Sequence, residues 1–230
     1  RQHDVAGRVV QALEGIQNHR VLMVGEAIID EYQYAAPMGK SAKENIIASR
    51  YEGREVFAGG VIASANHVAS FVEQVDVITC IGEEDSYEDL ILDTVVQNVN
   101  VHFVRLPGVP TIRKCRFVDP GHMRKLFEVY HFDDTPLSGR KEDELCSLIA
   151  ERAADFDLVV VNDFGHGMMT PRSIDQIIRR SKFLAVNAQS NSANHGYNPV
   201  NKYAKADYVC IDAPEARLAV RDRFSEVSDL

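Results

Sequence analysis

The feature that most constrains this chain is its alternation of short, β-rich apolar runs with segments of helical periodicity. The runs occupy residues 20–25, 75–82, 157–163, 183–187 and 208–212. Each is nearly continuous in hydrophobicity, as a strand covered on both faces should be. Between them, apolar residues recur at three- and four-residue steps: Ile62, Ala65, Ala69 and Val72 behind Gly59 and Gly60, then Leu145, Leu148, Ile149 and Ala153. Another helix is expected over 87–98. Thr170 followed by Pro171 reads as a helix start, because the hydroxyl can cap free N–H groups and proline suits the first turn. Pro214 opens a last helix that runs through Val220. Strands alternating with helices predict an α/β fold built on a mainly parallel sheet flanked by helices.

Two segments break this rhythm. Residues 31–57 and 101–132 have strand character without intervening helices. Asp119-Pro120-Gly121-His122 places proline and glycine at the centre of a type II turn, which would join 111–118 to 123–132 as a hairpin. Together the two segments predict a small β-sheet lid over the main sheet, of the kind that closes on substrates. The exposed edges of such a lid suggest a homodimer.

The net charge of −9 excludes nonspecific binding to nucleic acid or to an anionic membrane surface. No apolar run approaches the roughly 20 residues of a membrane span, and no signal peptide opens the chain, so a cytoplasmic protein is expected. The four cysteines, Cys80, Cys115, Cys146 and Cys210, are far apart, which argues against a metal cluster and for buried, reduced thiols. The chain opens at Arg1 and stops at Leu230 in a polar stretch, so a piece of a longer protein is expected. Residues 1–19 would be a linker helix and 20–230 an incomplete domain lacking its C-terminal part.

In open parallel sheets, ligands bind beyond the carboxyl ends of the strands. Here the runs end near Asp30, Asn162-Asp163, Asn187 and Asp212. Aspartate and asparagine also simply make turns after strands, but their recurrence along one edge points to a site. Gly59 and Gly60 would let backbone approach a ligand at a helix start; a loop needing positive φ is the plainer reading. Lys114 and Arg116, two apart, share a strand face with other basic residues (Arg105, Arg113, Arg124, Lys125) nearby, and suit a phosphate-bearing substrate or merely a charged edge. His166, between two glycines, is a candidate acid, base or phosphate contact. The amide-rich stretch 187–198 follows a strand with no apolar reason to be ordered.

Taken together, these residues resemble the ribokinase-like (PfkB) carbohydrate kinases, especially the heptose-phosphate kinase domain of ADP-heptose synthases, over about residues 20–220. Val24-Gly25-Glu26-Ala27-Ile28-Ile29-Asp30 resembles that family's first strand and its sugar-binding aspartate, and Ala58-Gly59-Gly60 its di-glycine. Thr111-Ile112-Arg113-Lys114-Cys115-Arg116-Phe117 resembles the lid strand with substrate-phosphate contacts. Asn162-Asp163-Phe164-Gly165-His166-Gly167 resembles the Ser-Asp-Tyr-x-Lys-Gly turn, and Asp212-Ala213-Pro214-Glu215 the Asn-x-x-Glu element near magnesium and phosphates. The stretch 187–198 with 39–44 resembles a branch in which a cytidylyltransferase-like domain is fused ahead of the kinase-like one.

The resemblance implies ATP as co-substrate, magnesium, and a sugar or sugar-phosphate acceptor. It places Asp30, Gly59, Gly60, Lys114, Arg116, Asp163 and His166 on the substrate side. Asn187, Gln189, Asp212 and Glu215 would face nucleotide and phosphates, with Glu215 and Asp212 toward the metal indirectly. The departures are equally specific. Ala63 stands where the family has asparagine, His166 replaces the turn lysine, Asn187-Ala188-Gln189 replaces Asp-Pro-Lys, and Asp212 replaces asparagine. No Gly-x-Gly-Asp occurs, so the catalytic base is expected beyond Leu230. The sequence predicts the acceptor-binding part of a sugar kinase, inactive alone; a kinase-like binding or regulatory module without phosphotransfer is the rival.

Overall fold

The computed structural model describes residues 5–230. It opens with α1 (Val5–Ile16), within the expected linker helix; residues 1–4 of that expectation lie outside the described residues. The main sheet is six-stranded and parallel. Its strands are β1 (Arg20–Gly25), β4 (Gln74–Glu84), β5 (Val99–Pro110), β8 (Leu158–Asp163), β9 (Leu184–Ala188) and β10 (Tyr208–Val209). They lie in the order β10-β9-β8-β1-β4-β5.

Side-chain alternation along β1 sorts the core into two layers. Leu22 and Val24 face α4 (Gly139–Arg152) and α5 (Pro171–Arg180), joining Leu145, Ile149, Phe156, Ile174 and Ile177. Val21 and Met23 face the other way, with Ile62 and Ala65 of α2 (Val61–Val68) and Ile91 of α3 (Glu88–Thr94). Each such side chain, fully buried, contributes roughly 1.5–3 kcal/mol. The Thr170 cap is present: its hydroxyl accepts from Ser173 N ahead of Pro171.

A second sheet has the order β3-β2-β6-β7. Strands β2 (Ala27–Lys40) and β3 (Ile47–Gly60) are antiparallel, β6 (Arg113–Asp119) runs parallel to β2, and β7 (Arg124–His131) returns antiparallel to β6. Its base is pegged to the main sheet: Ile29 N donates to Ile112 O (2.8 Å), and Gly82 N to Thr111 Oγ1 (2.9 Å).

Several expectations need correction. The segment 101–110 belongs to the main sheet, not the lid: as β5 it pairs with β4, and Val99 and Val104 are buried in the two cores. The lid's first arm is longer than 31–57, because β2 and β3 pair from Ala27 to Gly60. The hairpin exists, but its turn is not type II. Met123, not Gly121, takes positive φ, while the Asp119 carboxylate accepts from Gly121 N (2.9 Å) and shapes the turn itself. The helix expected over 87–98 stops at Thr94. Cys80, Cys115 and Cys146 are buried free thiols, but Cys210 is exposed, since β10 spans only two residues.

Candidate functional site

The strand order reverses at β1, with β4 and β5 on one side and β8 to β10 on the other. Crevices open at such a switch point. Gly25 lets β8 approach: a Cβ there would collide with the Asn162 carbonyl. The next residue, Glu26, is 1% exposed. Its Oε2 accepts from Phe164 N (2.9 Å) and its Oε1 from His166 N (3.1 Å), tying the lid's origin to the turn after β8. Burial, and then the negative charge of Asp163, pushes this carboxyl up to about 7. The sequence reading passes over Glu26. The available signal was an acid inside an apolar run, Val24 to Ile29, with no turn residues after it.

Asp163, expected to meet substrate, is fully buried and internally committed. Its Oδ2 accepts from Tyr203 Oη (2.6 Å) and pairs with Lys202 Nζ (2.6 Å). Its Oδ1 accepts from Asn198 Nδ2 (3.0 Å) and Gly165 N (3.0 Å). The amide-rich loop finds its order here too. Asn191 and Asn194 donate to Phe164 O (2.7 and 2.9 Å), satisfying carbonyls that the turn leaves open. Asn194, Asn198, Lys202 and Tyr203 were not legible as a unit, since each reaches Asp163 or its turn across some 30 to 40 residues of chain.

His166, on that turn, is buried and packs against Phe132, ring centroids 5.0 Å apart. Burial, and then the charge of Lys114, pushes its imidazole down to about 4. It is therefore neutral near pH 7.

On the lid, Asp30 is in register with Lys114 and Tyr32 with Arg116, so the three charged residues share one face, on which the spacing predicts Lys114 and Arg116. Arg116 Nη1 pairs with Asp30 Oδ1, its Nε lies 3.3 Å from Glu128 Oε1, and its guanidinium stands over the Tyr32 ring. Lys114 is 6% exposed, with Nζ 5.3 Å from the centroid of Tyr130. It forms no ion pair among the described residues, and burial, then Arg116, pushes its ammonium down. Arg113 faces away and binds the buried Glu31 (2.8 Å); Arg105 binds Glu88 (3.0 Å). The basic excess thus narrows to Lys114 and Arg116.

The two glycines are required by close approach. A Cβ on Gly59 would strike the Asp30 carboxylate, and Gly60, at φ 61°, passes against the Glu26 carbonyl. Under the lid, Asp30, Tyr32, Phe57, Gly59, Ala63 and Lys125 line a cavity of about 460 Å³, the size of a small-molecule pocket.

The residues expected on the nucleotide side are held by local hydrogen bonds. Asn187 Nδ2 donates to Cys210 O (2.7 Å), and Gln189 is exposed, held through its backbone N–H to Asp163 O (2.8 Å). Asp212 and Glu215 form a capping box at the start of α6 (Ala213–Val220), and the second Glu215 oxygen accepts from Ser190 N (2.8 Å). Both Glu215 oxygens and one of Asp212 are thereby spent on backbone N–H groups. No group of three or more metal-ligating side chains occurs among the described residues. The residues present do not fit a directly ligated magnesium.

No protein-family model matches the chain. Curated relatives carry the name bifunctional protein HldE. That of Hyphomonas neptunium is 25% identical over 79% of this chain and 37% of its own length. That of Nitrobacter hamburgensis is 26% identical over 91% of this chain and 42% of its own. The chain thus spans about two-fifths of these relatives. Among solved structures, a carbohydrate kinase from Agrobacterium tumefaciens aligns with TM-score 0.60 at 18% identity, covering 87% of this chain and 63% of that one. Phosphofructokinase-2 from Escherichia coli in complex with fructose-6-phosphate gives 0.65 at 14%, covering 92% and 67%. Arabidopsis thaliana ribokinase complexed with ribose and ATP gives 0.61 at 13%, covering 93% and 67%. Among the described residues, no helix is long and apolar enough to cross a membrane. The chain has the ribokinase-like α/β fold, with sequence relatives among the HldE proteins and structural neighbours among the PfkB/ribokinase carbohydrate kinases.

Proposed function

We propose that this chain forms the acceptor-binding half of an ATP-dependent sugar or sugar-phosphate kinase. The observation that carries this reading is the lid face itself. Lys114, buried and in no ion pair among the described residues, stands in register with Asp30, which pairs with Arg116 and lines a cavity of about 460 Å³. A buried cation in no ion pair is stabilised by a bound anion, and a carboxylate beside it can accept sugar hydroxyls. Lys114 and Arg116 would hold an acceptor phosphate, Asp30 a hydroxyl, and the Gly59–Gly60 backbone would border the ring. The HldE relatives, bifunctional by name, support a fused nucleotidyltransferase domain. ATP would be the phosphoryl donor, with magnesium and the base supplied outside the residues described above.

Calorimetry on the full-length protein with fructose 6-phosphate, ribose and ATP tests this. Asp30→Ala should weaken the bound acceptor tenfold or more while ATP affinity stays within about twofold, and Lys114→Met should weaken phosphorylated acceptors selectively. Unchanged acceptor affinity in both variants would remove this face from the site.

A second reading, a kinase-like binding or regulatory module without phosphotransfer, draws on the commitment of Glu215 and Asp212 to helix capping. It predicts sugar binding with no ATP turnover in the full-length protein.

A further inference from the structure

His166 presents a buried side chain at the switch point whose polar atoms are left over. It is 4% exposed, yet neither Nδ1 nor Nε2 has a hydrogen-bond partner among the described residues. The two buried carboxylates beside it are satisfied: Glu26 accepts two backbone N–H groups and Asp163 takes four donors. Buried polar atoms are rarely orphaned without a purpose. The ring lines a cavity of about 40 Å³ together with Glu26, Cys80, Gly82, Thr111 and Met168, and it packs against Phe132. That space exceeds the roughly 10–15 Å³ that one water needs and suits a hydroxyl or hydroxymethyl group.

We propose that His166 is a specificity-determining residue, one ring nitrogen of which binds an uncharged hydroxyl of the acceptor. The inference rests on the acceptor-site reading above and adds to it. The cation at Lys114 selects the charged end of the acceptor, and the imidazole selects a neutral polyol end. A hydroxyl is both donor and acceptor, as is a neutral imidazole; an anion could use only the N–H. The ring keeps its place because Glu26 holds the His166 backbone N–H at 3.1 Å, which makes Glu26 a positioning residue. The resembling kinases carry lysine at this turn, so this chain exchanges a fixed cation for a paired donor and acceptor.

The test is calorimetry on the full-length protein, with fructose 6-phosphate, ribose and their singly deoxygenated analogues as probes. His166→Phe keeps the packing without the hydrogen bonds; His166→Gln keeps a donor and an acceptor. Thermal melts of both variants confirm folding. The expected result is acceptor affinity about tenfold weaker in His166→Phe, within about threefold of wild type in His166→Gln, and ATP affinity unchanged in both. One deoxy analogue should bind wild type poorly but lose nothing further in His166→Phe. In the ¹⁵N spectrum, a His166 ring nitrogen should shift when the probe is added. Wild-type affinity in His166→Phe, with affinity lost in Lys114→Met, overturns the proposal and leaves the acceptor site standing. Binding of no probe by wild type overturns both.

Discussion

Between pH 4.5 and 7 the Glu26 carboxyl holds more protons in the folded chain than in the unfolded one, because burial and the charge of Asp163 raise it to about 7. Folding stability therefore falls as pH rises through that window, by up to roughly 3 kcal/mol at ~1.36 kcal/mol per unit. His166 works in the opposite sense. Lowered to about 4 from 6.5, it is neutral in the fold while still charging in the unfolded chain, so its stability is lost as pH falls from 6.5 toward 4. The two slopes offset one another in the overlap and separate outside it. Wild type should lose stability between pH 6.5 and 7.5. Glu26→Gln should be flat there, and should fall more steeply on the acid side, with only His166 left. Urea denaturation at half-unit pH steps measures both, and a wild-type decline that persists in Glu26→Gln would assign it elsewhere.

At the scale of elements, the strands and most helices were readable because their signals are local: continuous apolar runs, three- and four-residue stripes, and Thr170 with Pro171. What was misread depends on distant partners. Residues 99–110 look like the lid arm that follows them, and only pairing with β4 makes them part of the main sheet. Asp212 and Glu215 form a capping box that their Asp-x-x-Glu spacing at a helix start already allowed. Lys114 and Arg116 share a face because period-2 spacing is local, whereas Asp30 joins them only through the pairing of β2 with β6, and the partners of Asp163 were invisible. Asn198 shows the consequence. Its amide donates to Asp163 Oδ1, Asp163 O and Gln189 O, and its Oδ1 accepts from Lys202 (2.6 Å). Asn198→Ala leaves these groups buried and unpaired and should cost about 2–3 kcal/mol. It should also speed chymotryptic cleavage after the exposed Tyr197. A variant within ~0.5 kcal/mol of wild type, the range of ordinary surface substitutions, would show that the loop is held by something else.

For the whole molecule, the two sheets are unequally supported, and function in a lid site depends on that inequality. The main sheet is covered on both faces by apolar layers at β1, β4 and β8. The lid joins it through β2, β6 and the bonds at Ile112 and Thr111, while Tyr51, Phe57 and Phe127 stay exposed further out. Amide exchange follows local opening, which is cheapest where few apolar contacts are lost. Hydrogen exchange in the full-length protein should therefore be slowest in β1, β4 and β8, and fastest in β3 from 47 to 56 and in β7. An acceptor bound by Asp30, Lys114 and Arg116 joins β2 to β6 through their side chains. Adding fructose 6-phosphate should then slow exchange in β2, β6 and the turn at His166, and leave α4 and α5 unchanged. Slowing spread evenly over both sheets would mean general stabilisation instead of closure on the site, and slowing confined to β9, β10 and α6 would move the acceptor away from the lid.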